Sequence, residues 1–171
     1  MEDNITNSSL YDIRYTRLTD ISFLKSWLVD PRVIQYFPFN YQQGHDIEFF
    51  AKNWINFSRF NAAITAVYDC HPVGLATIYL LPYKKVAHIG LIQIVVDPIW
   101  QRKGIGHSLL RNLIHHAKNY FKLEFLNIEF MEGHPMISML CNLGFYEVFR
   151  QEGFYKIEGD YKARIVMEKA L

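Results

Sequence analysis

Three things are scarce in this chain. Its 171 residues include only two cysteines, Cys70 and Cys141, far apart in sequence, which leaves room for one disulfide but not for a disulfide-dense scaffold. Two buried thiols kept reduced in the cytoplasm are expected instead. Charge of one sign is also scarce. The 18 basic residues nearly cancel the 17 acidic ones, and a net charge of +1 gives no reason to expect nucleic acid or an anionic membrane as partner. Nor does any apolar run approach the roughly 18 residues that would cross a bilayer. The opening MEDNITNSSL lacks both a charged n-region and an apolar h-region. Residues 1–10 therefore read as a flexible tail rather than a signal peptide. No repeat, low-complexity tract or linker divides the rest, so 11–171 is expected to form one domain.

What remains is rich in core material, with 50% hydrophobic residues against 20% charged. The alternation in IRYTRL (13–18) predicts a strand. Asp20 then stands where it could cap a helix running to Val29, with Asp30-Pro31 as a stop. YFPFNYQQG (36–44) reads as an aromatic loop. In the helix after it, Ile47, Phe50, Ala51, Trp54 and Ile55 share a stripe. Strands are predicted over 62–69, 72–81 and 86–97, and a helix over 104–120 with Ile105, Leu109, Leu110, Leu113, Ile114 and Ala117 on one face. A strand at 123–130, a short helix closed by Gly144 and two strands over 144–150 and 160–169 complete the chain. The order β α α β β β α β α β β predicts an α/β protein, of the α+β kind with a mixed sheet. Six or seven strands would be flanked by about four helices, and strand–helix–strand over 86–131 would be a parallel crossover.

The most informative stretch is Val95-Val96-Asp97-Pro98 followed by Gln101-Arg102-Lys103-Gly104-Ile105-Gly106. A helix N-terminus presents unpaired N–H groups and about half a positive charge. Glycines at 104 and 106 remove the Cβ atoms that would keep an anion away from those amides. Arg102 and Lys103 add cationic side chains at the same place, and a diphosphate suits the combination. The P-loop pattern G-x-x-x-x-G-K-[ST] is absent, and Leu109 stands where a dinucleotide fingerprint needs its third glycine. No H-x-x-x-H or C-x-x-C spacing argues for a metal.

QRKGIG behind a strand ending VVDP resembles the acetyl-CoA-binding motif Q/R-x-x-G-x-G/A of the GNAT superfamily of N-acetyltransferases. The order of elements is similar over roughly 13–168, as is the segment from Glu132 to Phe145. The ending GFYEVFRQEGFYKIEGDYKARIVMEK resembles the branch acting on amines and protein N-termini. The resemblance implies a GNAT-like fold and acetyl-CoA as cosubstrate. It implies a pantetheine arm paired with the backbone of Ile94, Val95 and Val96, opposite a strand containing Asn127 and Ile128. The pyrophosphate would lie on amides 102–107, so the implied cofactor-binding residues extend through Gln101, Arg102, Lys103, Gly104, Ile105, Gly106 and His107. The implied reaction is direct transfer of acetyl from the thioester to a primary amine of a small molecule or a peptide N-terminus. No nucleic acid or membrane is expected as partner, and a homodimer is compatible with the family.

The chemistry poses a proton problem. A lysine-like amine with pKa about 10.4 costs about 4.6 kcal/mol to hold neutral at pH 7, an α-amine only about 1 kcal/mol. A base must help, and an N–H donor near Val95 or Val96 would stabilise the oxyanion. Candidate bases are His88, at the start of the fourth strand, and Glu129, with Glu132 further off. Tyr36, Phe37, Phe39 and Tyr41 fall where the family builds its acceptor pocket. Two positions depart from the family pattern. Leu140 stands where a tyrosine acid is common, and Gly133 where asparagine is common. Tyr146 and Cys141 are the nearest substitutes for the acid, and His134-Pro135 reads as a helix start. A non-catalytic acyl-CoA-binding module that has lost its acid is the alternative.

Overall fold

In the structure, a computed structural model describing residues 11–38 and 44–171, the chain forms seven strands among the described residues. They are β1 (Asp12–Tyr15), β2 (Ala63–Tyr68), β3 (His71–Leu80), β4 (Ile89–Val96), β5 (Phe125–Met131), β6 (Tyr146–Ile157) and β7 (Asp160–Ala170). They form one sheet in the order β1-β2-β3-β4-β5-β7-β6. Every neighbouring pair is antiparallel except β4 and β5, which run parallel and are joined by α4 (Ile105–Asn119). The mixed sheet expected from the sequence is thus observed, at the upper strand number.

Each face of the sheet carries its own core. The stripe of α4 is buried against one face, where Leu109, Leu110 and Leu113 pack with Ala76, Ile78, Ile92 and Leu126. On the other face, α1 (Ile21–Leu28) and α3 (Gly44–Asn56) bring Leu24, Leu28, Ala51 and Trp54 onto Leu75 and Val95. Neighbours Leu75 and Ala76 belong to different cores because side chains alternate along a strand. The Trp54 indole N–H donates to Thr77 Oγ1 at 2.8 Å, so the buried ring leaves no polar atom unmatched.

Several local expectations are corrected. Pro31 starts a helix rather than only stopping one. The Asp30 carboxylate accepts from the Arg32 amide at 2.9 Å, and proline at the first helical position needs no N–H partner, giving the short α2 (Pro31–Ile34). Asp20 does not cap α1 through its side chain. Its carboxylate is buried and takes a two-pronged ion pair from Arg14 at 2.8 and 2.9 Å, together with the Arg17 amide and Thr65. Residues 86–88 form a turn, so β4 begins at Ile89 and His88 precedes it. Both cysteines are free as expected, but exposed rather than buried. Gly144 does close the last helix, α5 (Ile137–Asn142). At φ +84°, it lets Phe145 N–H reach the Leu140 carbonyl and its own N–H the Cys141 carbonyl. Residues 1–10, Phe39 and Tyr41 lie outside the described residues.

Candidate functional site

The site begins where two strands part. The pairing of β4 with β5 ends at Ile92 opposite Ile128. Gln93–Val96 and Glu129–Met131 continue without pairing to each other, and a cleft opens between them. Asn127 and Ile128 still pair with Leu91 and Ile92, so they line the cleft where it opens, and Glu129 continues its wall. The Asp97 amide donates to the Val73 carbonyl of β3 at 3.0 Å. Antiparallel alternation then turns the backbone groups of Val95 toward β3, and those of Ile94 and Val96 into the cleft.

The cleft leads to the start of α4. Gly104 holds φ +83°, a conformation a side chain would strain, and an added Cβ would meet nothing closer than the Tyr11 hydroxyl at 3.9 Å. The first amide to find a helical acceptor is that of Ser108, on the Gly104 carbonyl at 3.0 Å. Among the described residues the amides of Ile105, Gly106 and His107 have no backbone acceptor, as the orphan donors of a helix start. The loop is fastened to the strand by Gln101, whose side-chain amide donates to the Val96 carbonyl at 3.2 Å.

Two adjoining cavities occupy this cleft. One, of about 350 Å³, is lined by Ile94, Val95, Val96, Gln101, Arg102, Gly104, Gly106 and His107 from the strand and loop. Arg32 from α2 and Met136 and Met139 close its other side. The second, of about 370 Å³, lies further along β4 and is walled by Gln93, Glu129, Tyr79, Tyr155 and Arg164. Tyr36, Phe37, Ile94, His134 and Met136 line both, and so mark the passage between them.

The second cavity is aromatic with a neutralised wall. Glu129 Oε2 lies 2.6 Å from Arg164 Nη2, and the Tyr155 hydroxyl approaches Glu129 Oε1 at 3.5 Å. Burial, then the charge of Glu129, raises the Tyr155 phenol above its ordinary pKa. The Tyr79 hydroxyl is buried without a hydrogen-bond partner among the described residues, and desolvation raises its pKa strongly. Phe37 meets Phe50 edge-on with centroids 5.7 Å apart.

Most residues singled out from the sequence converge here. Glu129, Tyr36 and Phe37 line the second cavity, and eight of the ten residues expected to hold the cofactor line the first. The two exceptions are Ile105, wholly within the core, and Lys103, whose ammonium sits over the Trp100 ring at 4.3 Å. His88 lines neither cavity; its carbonyl ties down Glu124 and Phe125 at the paired end of β4, away from the cleft. Glu132 is held by Arg150 and the Ala163 amide. Tyr146 donates to Glu168 on the exposed hairpin. Leu140 is fully buried and lines neither cavity. Among the described residues no cluster of metal-ligating side chains occurs. Sequence reasoning missed Tyr79, Tyr155 and Arg164, which distant strands supply, and it read His134 only as a helix start.

The comparisons with known proteins agree with this geometry. A family model described as the Acetyltransferase (GNAT) family matches residues 24–145. The chain is similar to the ribosomal-protein-alanine N-acetyltransferase of Brucella melitensis at 21% identity, covering 94% of this chain and 99% of that one with TM-score 0.78. The ribosomal-protein-S18-alanine N-acetyltransferase of Escherichia coli is 19% identical, with 94% and 93% covered and TM-score 0.71. Salmonella typhimurium YncA, whose structure holds its cofactor acetyl-CoA, is 15% identical, with 95% and 94% covered and TM-score 0.79. No curated protein matches the sequence.

Proposed function

The chain belongs to the acetyltransferase (GNAT) family, which takes its acetyl group from acetyl-CoA, and on that premise we propose that it acetylates a primary amine of a small molecule or a protein N-terminus by direct transfer. The observation that carries this reading is the parting of β4 from β5 beyond Ile92 and Ile128. It exposes strand backbone to an arm lying between two cavities, and no sheet needs such a gap for stability.

The residues fit the donor substrate. The amides of Ile105, Gly106 and His107, with Arg102, suit the pyrophosphate. Ile94 and Val96 present the backbone to a pantetheine amide, while Lys103 and the Ile105 side chain stand aside. The acceptor takes the aromatic second cavity, where Tyr36 and Phe37 face Glu129 and Tyr155. In the reaction, the neutral amine nitrogen bonds to the thioester carbon and the carbon–sulfur bond breaks. The sulfur leaves with the electron pair, and the proton lost by the amine balances the thiolate through water or Glu129. The developing oxyanion needs an N–H donor, which by strand alternation is Ile94 or Val96 rather than Val95. Two free, exposed cysteines suit a reducing compartment, and the cytoplasm is the proposed location. Among the described residues no helix is long and apolar enough to cross a membrane.

Burial of Leu140, where a hydroxyl was expected, favours one rival: a module that binds acyl-CoA without turning it over. Calorimetry with acetyl-CoA and thiol release over a panel of amines and peptides separates the two. Binding with thiol release on at least one amine is the expected result. Binding without turnover on any member supports the rival, and no binding at all overturns both.

A further inference from the structure

Acetyl donor and amine must meet where the two cavities join, because each occupies its own. Five residues line both, and only Tyr36 and His134 among them carry a polar side-chain hydrogen. The His134 ring is clamped between Tyr36, at 4.6 Å between centroids, and Phe130, at 5.6 Å. Its Nδ1 accepts the Met136 amide N–H at 3.2 Å. A ring nitrogen that accepts carries no proton, so in the neutral imidazole the proton sits on Nε2. Nε2 has no hydrogen-bond partner among the described residues.

We infer that His134 is a catalytic hydrogen-bond donor, its Nε2–H directed at the thioester sulfur and stabilising the departing thiolate of CoA. The inference rests on the acetyl-transfer reading of the same site. It also accounts for Leu140: the hydroxyl missing from α5 is replaced by an imidazole from the turn before that helix. Burial holds the His134 pKa down at about 4, so the ring is neutral near pH 7. A neutral imidazole donates a hydrogen bond without giving up its proton. The thiolate is therefore stabilised while its proton comes, as above, from the amine.

The test reads the sulfur itself. The pKa of the thiol of bound CoA is measured by the ultraviolet absorbance of the thiolate, with protein plus desulfo-CoA as blank, in wild type, His134→Phe, His134→Gln and Tyr36→Phe. Arg32, Arg102 and His107 line the donor cavity, and Glu129 and Arg164 the other. These groups are the same in every variant, so differences between variants isolate the donor. A bound thiol about one pKa unit lower in wild type than in His134→Phe, a tenfold difference in thiolate, is expected. His134→Gln, which keeps an N–H, should recover part of it, and Tyr36→Phe should change little. In turnover, kcat of His134→Phe should fall about 10- to 100-fold with the KM for acetyl-CoA nearly unchanged. Equal thiol pKa values in wild type and His134→Phe, or a shift only in Tyr36→Phe, would overturn the inference while leaving acetyl transfer intact. Failure of wild type to bind acetyl-CoA overturns the underlying reading instead. Should the variants not fold, the 15N shift of Nε2 in wild type decides. It should move with CoA and not with desulfo-CoA, and identical shifts in both overturn the inference.

Discussion

Glu129 and Arg164 face each other across β5 and β7 with 2.6 Å between carboxylate and guanidinium, and the pair lines the acceptor cavity. The register sets Glu129 opposite Val166 and Arg164 opposite Met131, so the contact is diagonal. The pair leaves the wall neutral while keeping a carboxylate oxygen near Tyr155. Glu129→Gln should unbalance it, leaving a positive wall against a cationic amine. The KM for the amine is expected to rise about tenfold, a loss of about 1.4 kcal/mol in binding, with acetyl-CoA affinity unchanged. Steady-state kinetics and calorimetry on the same variant check both halves. A change in acetyl-CoA affinity alone would move Glu129 out of the acceptor site.

Gly104 makes a second prediction. Gly104→Asp sets a carboxylate on the loop proposed for the pyrophosphate, at φ +83°. Acetyl-CoA affinity should fall about 100-fold or more. Strain alone is controlled by Gly159→Asp, at φ +99° in the turn between β6 and β7. That variant should lose comparable stability and no affinity. Calorimetry separates the outcomes, and equal affinity in wild type and Gly104→Asp removes the phosphate assignment.

Asp20 governs acid behaviour. Burial alone would raise its pKa, but Arg14, the Arg17 amide and Thr65 together outweigh that and hold it below 3.8. The unfolded chain therefore takes up this proton first. The stability involved is complete above about pH 4 and is lost as pH falls through the lowered folded value. Asp20→Asn leaves Arg14 unpaired and should cost about 2–3 kcal/mol at pH 7. Its stability should depend less on pH below 4 than that of wild type. Urea midpoints across that range give the comparison.

His134 shifts stability at a different pH. Desolvation lowers its pKa from 6.5 to about 4, with the rings of Tyr36 and Phe130 against it. Between those values the unfolded state binds a proton that the native state refuses, so stability falls as pH drops from about 6.5 toward 4. His134→Phe should lack this decline, worth on the order of 2 kcal/mol. Parallel urea titrations at pH 7 and pH 4.5 measure it. An identical decline in both proteins would show that the ring is not desolvated.

What the sequence determined alone was local. The stripe from Ile105 to Ala117 could only be one face of a helix, since 3.6-residue periodicity needs no distant partner. The glycines of QRKGIG marked a backbone that an anion can approach, for reasons of Cβ sterics alone. In the structure the stripe is buried on α4, and Gly104 stands at φ +83° just before that helix. Strand alternation likewise predicted the sheet, though not that β4 would begin at Ile89 and leave His88 in a turn. The tertiary structure decided the rest, because it depends on register between segments far apart in the chain. Ile92 opposite Ile128 sets where β4 and β5 part. That point excludes His88 from the cleft, puts Glu129 on its wall and brings Tyr155 and Arg164 beside it. No local pattern distinguishes a histidine that starts a helix from one standing between two cavities. His134 lies ahead of α5, whose N-cap is Met136, and its place between the two cavities is revealed by the packing of Tyr36 and Phe130 around its ring.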